Sequence, residues 1–153
     1  MSVLEFAIER ARSRNARVLF PEWEAPGIVA ARARLVAEGI CEPVPAGHPT
    51  EDHVEALIEL RGVKEAVARR MLARPAIRAA AMVAAGEADA MVAGLELPTR
   101  RVIEAASLGI GLAEGVTLPS SFFLLVFPDG REVIYSDCAA VVAPDADGLA
   151  AIA

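Results

Sequence analysis

Residues 17–39 read RVLFPEWEAPGIVAARARLVAEG, and this stretch decides the fold. Arg17-Val18-Leu19-Phe20 is a short apolar run stopped by Pro21, the pattern of a buried strand. Pro26 suits the first turn of a helix, where its missing N–H costs nothing. Ile28, Val29, Ala31, Leu35 and Val36 then recur at helical spacing, and Gly39 is suited to closing the helix. A strand followed at once by a helix is half of a βαβ unit.

Outward from there the alternation continues. Ser2 to Arg14 reads as an amphipathic helix with Val3, Leu4, Ala7, Ile8 and Ala11 on one face. Ile40 to Ala46 reads as a second strand, interrupted by Pro43 and Pro45. Thr50 with Glu51 and Asp52 caps a helix through Val54, Leu57, Ile58 and Leu60, stopped by Gly62. Val63 to Ala73 gives another helix, and Pro75 opens a buried Ala-rich one, Ala76 to Ala85. Ala88 to Ala93 reads as a strand closed by Gly94, and Thr99 to Leu108 as a helix. Gly109, Gly111 and Gly115 make a loop. Ser121 to Phe127 and Arg131 to Ser136 flank the turn signal Pro128-Asp129-Gly130 as an antiparallel hairpin. Pro144 and Asp145 start a last helix, Gly148 to Ala153, which has to dock on something or belong to a domain that continues. The expectation is an α/β sandwich with a mixed sheet.

The 153 residues fit a single domain, 1–153. Hydrophobic residues make up 55% with few aromatics, and mean hydropathy is +0.43. Aliphatic residues in that proportion suit helices on a sheet, and predict apolar surface that an oligomer covers. The formal net charge of −6, with no basic stripe, argues against a nucleic-acid partner. No apolar run approaches the ~20 residues of a membrane span. The N-terminus lacks signal-peptide order, so the default location is cytoplasmic. Cys41 and Cys138 have no ligand spacing and read as buried thiols. His48 and His53 flank Glu51 and Asp52 at a polar helix start, a poor metal site.

Three stretches resemble the phosphate acetyl/butyryltransferase (phosphotransacetylase) family. They are Arg17 to Pro26; Pro75 to Gly94, with Gly86-Glu87-Ala88-Asp89-Ala90-Met91-Val92-Ala93-Gly94; and Ser120-Ser121-Phe122-Phe123 through Tyr135-Ser136-Asp137-Cys138-Ala139 to Pro144 and Ile152. The resemblance runs in order over nearly the whole chain and corresponds to the family's N-terminal half. It implies a three-layer α/β/α sandwich, isocitrate-dehydrogenase-like, from proteins that move an acyl group between coenzyme A and inorganic phosphate in a cleft between two domains. The groups the family uses on the CoA thiol and the tetrahedral intermediate belong to the other half. The expected activity is therefore family-related but absent from the chain alone. The alternative is a non-catalytic CoA- or phosphate-binding or oligomerisation module. The partner expected is a second copy or a second chain completing the cleft; coenzyme A enters as a substrate, and no cofactor is implied.

Departures from the family pattern point the same way. After Gly94 the family carries a His and paired hydroxyls, whereas this chain has Leu95-Glu96-Leu97-Pro98-Thr99 and keeps only Thr99. The family's Arg further along the helix falls at Glu104, and another falls at Gly27. The candidate substrate-binding residues are Thr99, Arg100, Arg101, Ser120, Ser121 and Asp137. Arg100 and Arg101 sit in a first helical turn, disfavoured there unless an anion binds, or are simply solvated. Ser120 and Ser121 contact a ligand at a strand edge or close a loop. Asp137 is a strand-end working residue or a turn cap. Gly109 to Gly115 follows a helix and fails the context of a dinucleotide loop. Trp23 reads equally as an interface anchor or as a cover for the sheet end.

Overall fold

The computed structural model describes residues 2–138 and 140–152, and these form two compact units: Ala7–Gly111, and Met1–Phe6 with Leu112–Ala153. Ala139 and Ala153, both named in the expectations above, lie outside the described residues. Helix α1 (Val3–Arg14) forms as its periodicity predicts, but none of its residues is buried.

In the larger unit β1 (Arg17–Phe20) lies between β2 (Glu42–Pro45) and β3 (Ala90–Met91), parallel to both. Helix α2 (Pro26–Ala37) returns the chain from β1 to β2, with Pro26 at its start and Gly39 at φ +66° beyond its end. The prolines of β2 are tolerated because of their register. Glu42 N–H donates to Ala16 C=O on the β1 side, so Pro43 and Pro45 fall where the strand's N–H groups would point outward, on an edge. Three helices, α3 (Glu51–Arg61), α4 (Glu65–Leu72) and α5 (Pro75–Ala84), carry the chain across to β3. The turn to α4 uses Gly62 in the left-handed region, φ +62°.

Strand β3 has two residues instead of the six expected from Ala88 to Ala93. Val92 N–H still donates to Leu19 C=O, but beyond it the N–H groups of residues 94–97 turn to the Glu22 side chain. Helix α6 (Thr99–Gly109) follows and packs on α5. Gly109, expected in a loop, is buried at the end of α6. A Cβ there would lie 2.5 Å from the Cβ of Ala80, so glycine is what lets the two helices approach. Leu19, Leu72 and Ile77 are fully buried, each contributing about 1.5–3 kcal/mol by leaving water. Buried alanines, Ala76, Ala79, Ala80 and Ala81, line α5 as its composition predicts.

In the smaller unit β4 (Phe122–Val126) and β5 (Glu132–Ser136) form the expected hairpin around Pro128-Asp129-Gly130, with Gly130 at φ +85°. They pair only with each other, so the parallel and antiparallel pairings occur in two sheets. Antiparallel strands can be joined by a tight turn, so this pairing forms within one short segment. Every residue of β4 is exposed, Phe122 at 68% and Phe123 at 59%. Helix α7 (Ala146–Ile152) follows, and Val3 N–H donates to Glu132 Oε1 (2.9 Å). Among the described residues no helix is long and apolar enough to cross a membrane.

Candidate functional site

The order β2-β1-β3 defines a switch point, because the chain leaves β1 to one side for β2 and crosses to the other side for β3. In open α/β sheets the crevice outside the carboxyl ends of the strands at such a point is where ligands bind. The loops that follow β1 and β3 meet there. A cavity of about 380 Å3 opens among Pro21, Glu22, Arg74, Glu96, Leu97 and Arg101. A larger cavity of about 630 Å3 is walled by α3 and the ends of α5 and α6, with no residue from a loop that follows a strand. The smaller cavity, at the carboxyl ends of the strands, is the candidate site.

Four consecutive N–H groups converge in this crevice, and this chain fills them itself. Glu22 Oε2 accepts from Gly94 (2.7 Å) and Leu95 (3.2 Å); Glu22 Oε1 accepts from Glu96 (2.5 Å) and Leu97 (2.8 Å). Gly94 at φ +116° makes the turn that aims them. Such a row of N–H groups is an anion-binding concavity, and a carboxylate is its occupant here. Desolvation of Glu22 would raise its pKa. The four N–H groups together outweigh that and hold it below the usual value.

Gly27, at the start of α2, meets Leu95 of the loop after β3. A Cβ on Gly27 would lie 2.9 Å from Leu95 Cδ2, so the loop leucine lies over the glycine. Glu104 takes both guanidiniums of the crevice. It accepts from Arg74 Nη1 (3.0 Å) and Nη2 (3.3 Å), and from Arg101 Nη1 (2.7 Å). Hydrogen bonds from Arg74 and then from Arg101 lower its pKa to about 2.

The six candidate residues fall into two groups. Thr99, Arg100 and Arg101 occupy the first turn of α6 and are exposed; of the two arginines, Arg101 lines the crevice. In the smaller unit, Ser121 and Asp137 join across the ends of β4 and β5. Asp137 Oδ1 accepts from Ser121 N–H (3.0 Å), from Ser121 Oγ at short range, and from Ala140 N–H (3.3 Å), while Oδ2 accepts from Val141 N–H (2.7 Å). The Ser121 hydroxyl, ahead of burial and the backbone donors, sets the depressed pKa of Asp137. Asp137 is thus a turn cap closing the hairpin, and Ser120 beside it is exposed.

Three side chains differ from their sequence reading. His53 is buried, not part of a polar surface: its Nδ1 accepts from Thr50 N–H (3.0 Å) and Thr50 Oγ1 accepts from His53 N–H (3.4 Å), a reciprocal cap. Its Nε2 lies 2.8 Å from Glu87 Oε1, close but not aligned as a hydrogen bond. Cys138 is exposed, just past the end of β5, where its Sγ–H donates to Tyr135 C=O (3.2 Å). Cys41 is half-buried, and desolvation raises its thiol pKa. Trp23 packs with Phe20, Ala25 and Ile28 under the Arg32 guanidinium, 3.2 Å from its ring centroid, so it covers the end of β1. Among the described residues no three His, Cys, Asp or Glu side chains converge to hold a metal ion.

A family model described as phosphate acetyl/butaryl transferase matches residues 45–153. The chain belongs to this family. The phosphate acetyltransferase of Acetivibrio thermocellus is 31% identical over 186 aligned positions that take in all of this chain and 56% of its own length. That of Paracoccus denitrificans is 32% identical over 176, again all of this chain and 55% of its own length. Both alignments exceed the 153 residues present, so these phosphate acetyltransferases carry internal segments that this chain lacks. A phosphotransacetylase from Streptococcus pyogenes shares the fold with a TM-score of 0.86 at 24% identity, over 98% of this chain and 56% of that one. The EutD phosphotransacetylase from Staphylococcus aureus does so at 0.81 and 22%, over 97% and 53%. The chain spans about half the length of the curated relatives it matches first.

Proposed function

We infer that this chain forms one wall of a phosphate acyltransferase-type site, the wall facing the anionic substrates, and does not turn them over alone. The observation that carries this reading is the crevice at the carboxyl ends of β1 and β3. It has a row of four N–H groups and two arginines, and both sets are taken by the chain's own carboxylates, Glu22 and Glu104. Acyl transfer from acyl phosphate to coenzyme A needs a base for the thiol and donors for the developing oxyanion. Among the described residues, the only titratable groups lining the crevice besides the arginines are Glu22 and Glu96. Glu22, ionised and bonded fourfold, is a weak base. The remaining groups come from a second polypeptide segment in this reading, with phosphate and coenzyme A as its ligands. The test is thioester formation from acetyl phosphate and coenzyme A with the purified chain: no turnover above the buffer rate is expected, and turnover at a rate ordinary for enzymes would overturn the reading.

A second reading, association, is favoured by the hairpin. Five consecutive apolar residues of β4 are exposed, and both of its strands are sheet edges. An isolated two-stranded hairpin is marginal in water, and exposed apolar edges invite pairing. A second copy of this chain is the partner expected, giving a dimer or larger species in light scattering. A monomer at all concentrations would remove this reading.

A further inference from the structure

We propose that Glu104 is a built-in plug of the crevice, holding Arg74 and Arg101 so that an anion enters only by displacing it. The proposal rests on the reading of the crevice as an anion-facing wall. Arg74 stands at the N-cap of α5 and Arg101 in the first turn of α6, and both line the cavity. Neither helix start has a side-chain cap, so each presents the positive end of its dipole beside a guanidinium. That pairing of helix start and arginine suits a small oxyanion such as phosphate. Glu104, which is not among the lining residues, reaches both guanidiniums at once and accepts three hydrogen bonds from them. Its carboxylate takes Arg74 through two parallel contacts, the bidentate geometry by which an arginine also grips a phosphate.

The charges lining the cavity set the direction of the effect. Arg74 and Arg101 face Glu22, Glu96 and, through the bridge, Glu104. With Glu104 in place the guanidiniums are outnumbered and an incoming anion is repelled. Replacing Glu104 by an uncharged residue balances the set and frees both forks. Because this carboxyl titrates far below neutrality, acidification within the ordinary range does not lift the plug. An opposing anion or a partner that draws Glu104 away must do so.

The test is calorimetric titration of inorganic phosphate into the wild-type chain, into Glu104→Gln and Glu104→Ala, and into each with Arg74→Gln or Arg101→Gln added. Circular dichroism and thermal unfolding establish that each variant is folded, and the two Glu104 substitutions check one another. Binding at least tenfold tighter in both Glu104 variants than in the wild type, lost again when either arginine is removed, is the result expected. Equal phosphate binding by wild type and Glu104 variants overturns the plug and leaves the anion-facing wall standing. Tighter binding that survives removal of either arginine also overturns the plug. No binding by any variant overturns both the plug and the wall.

Discussion

Replacing Glu22 by Gln tests the geometry of the crevice directly. The carboxylate accepts four N–H bonds, two on each oxygen, from residues 72 to 75 positions later in sequence. Glutamine keeps one acceptor oxygen and turns an NH2 group toward the other pair of N–H groups. Whichever way the amide is placed, two backbone donors lose a charged acceptor and meet a donor. Hydrogen bonds to a charged group contribute about 1.5–3 kcal/mol each to stability when buried. Glu22 is only partly buried, and water replaces some of what is lost. The expected cost is therefore about 1–3 kcal/mol for the pair, a fall of several degrees in Tm for a protein of this size.

Two assays separate this from a generic surface effect. Amide exchange at Gly94, Leu95, Glu96 and Leu97 should accelerate, with the helices α3 and α4 unchanged. The pH dependence should also differ. The folded pKa of Glu22 lies below its unfolded value, so the stability it contributes is fully present above the unfolded pKa and is lost as pH falls through the folded one. The gap between wild type and Glu22→Gln is then largest near neutrality and closes as pH drops below about 4.5. Other depressed carboxyls, Glu104 and Asp137 among them, act in both proteins and cancel in the difference. Unchanged exchange at all four amides together with an unchanged Tm would refute the claim that this carboxylate organises the loop.

Gly109→Ala should destabilise by about 1–3 kcal/mol in chemical denaturation through overpacking against α5, despite alanine's helix advantage of about 1 kcal/mol; a variant as stable as wild type would contradict the close approach at Ala80. Adding Ala80→Gly should restore only part of the loss, because Ala81 N (2.8 Å) and the carbonyl carbon of Ala80 (2.9 Å) also crowd the new Cβ. Asp137→Ala should speed amide exchange at Val141 and Ala140, which lose their acceptor, while the pairing of Leu124 with Ile134 at the middle of the hairpin persists; exchange unchanged at both would show that Asp137 does not cap this turn.

Much of the fold was legible because its signals are local. Pro26 and Pro75 open helices, Gly62 closes one in the left-handed region, and Pro128-Asp129-Gly130 turns the hairpin. Each depends on residues within a few positions, which is what periodicity and turn chemistry report. The candidate site was legible only in part, for the opposite reason. Arg101 is a candidate by its place in a helix's first turn, and it does line the crevice, but its partner Arg74 carries no local signal. Arg74 precedes a proline and is brought to the crevice only by packing of α5 on α6. Glu22 was visible as part of a family-like stretch, yet its role is set by four amides more than seventy residues away. The Thr50-x-x-His53 spacing was the missed cue for a capping box, obscured because that position is ordinarily Glu or Gln. Gly109 misled as part of a glycine run, and only the alanine surface of α5 opposite it explains why a helix ends on glycine there.

The departures from the family pattern become intelligible when taken in pairs rather than singly. Gly27 and Leu95 touch, so a small residue on α2 and an apolar one on the β3 loop are complementary where a charge and a polar loop would otherwise meet. Glu104 reverses a charge, and its two guanidinium partners convert what would be an isolated carboxylate into the centre of a bridge. A surface ion pair contributes little to stability on its own, so stability is a weak reason for this arrangement. Its consequence is electrostatic and local: the crevice keeps its arginines, in place and oriented, while their charge is spent on the chain itself. Loss of an anion site by deletion of the arginines would be irreversible in a folded molecule, whereas occupancy by Glu104 is an equilibrium that a stronger anion can shift.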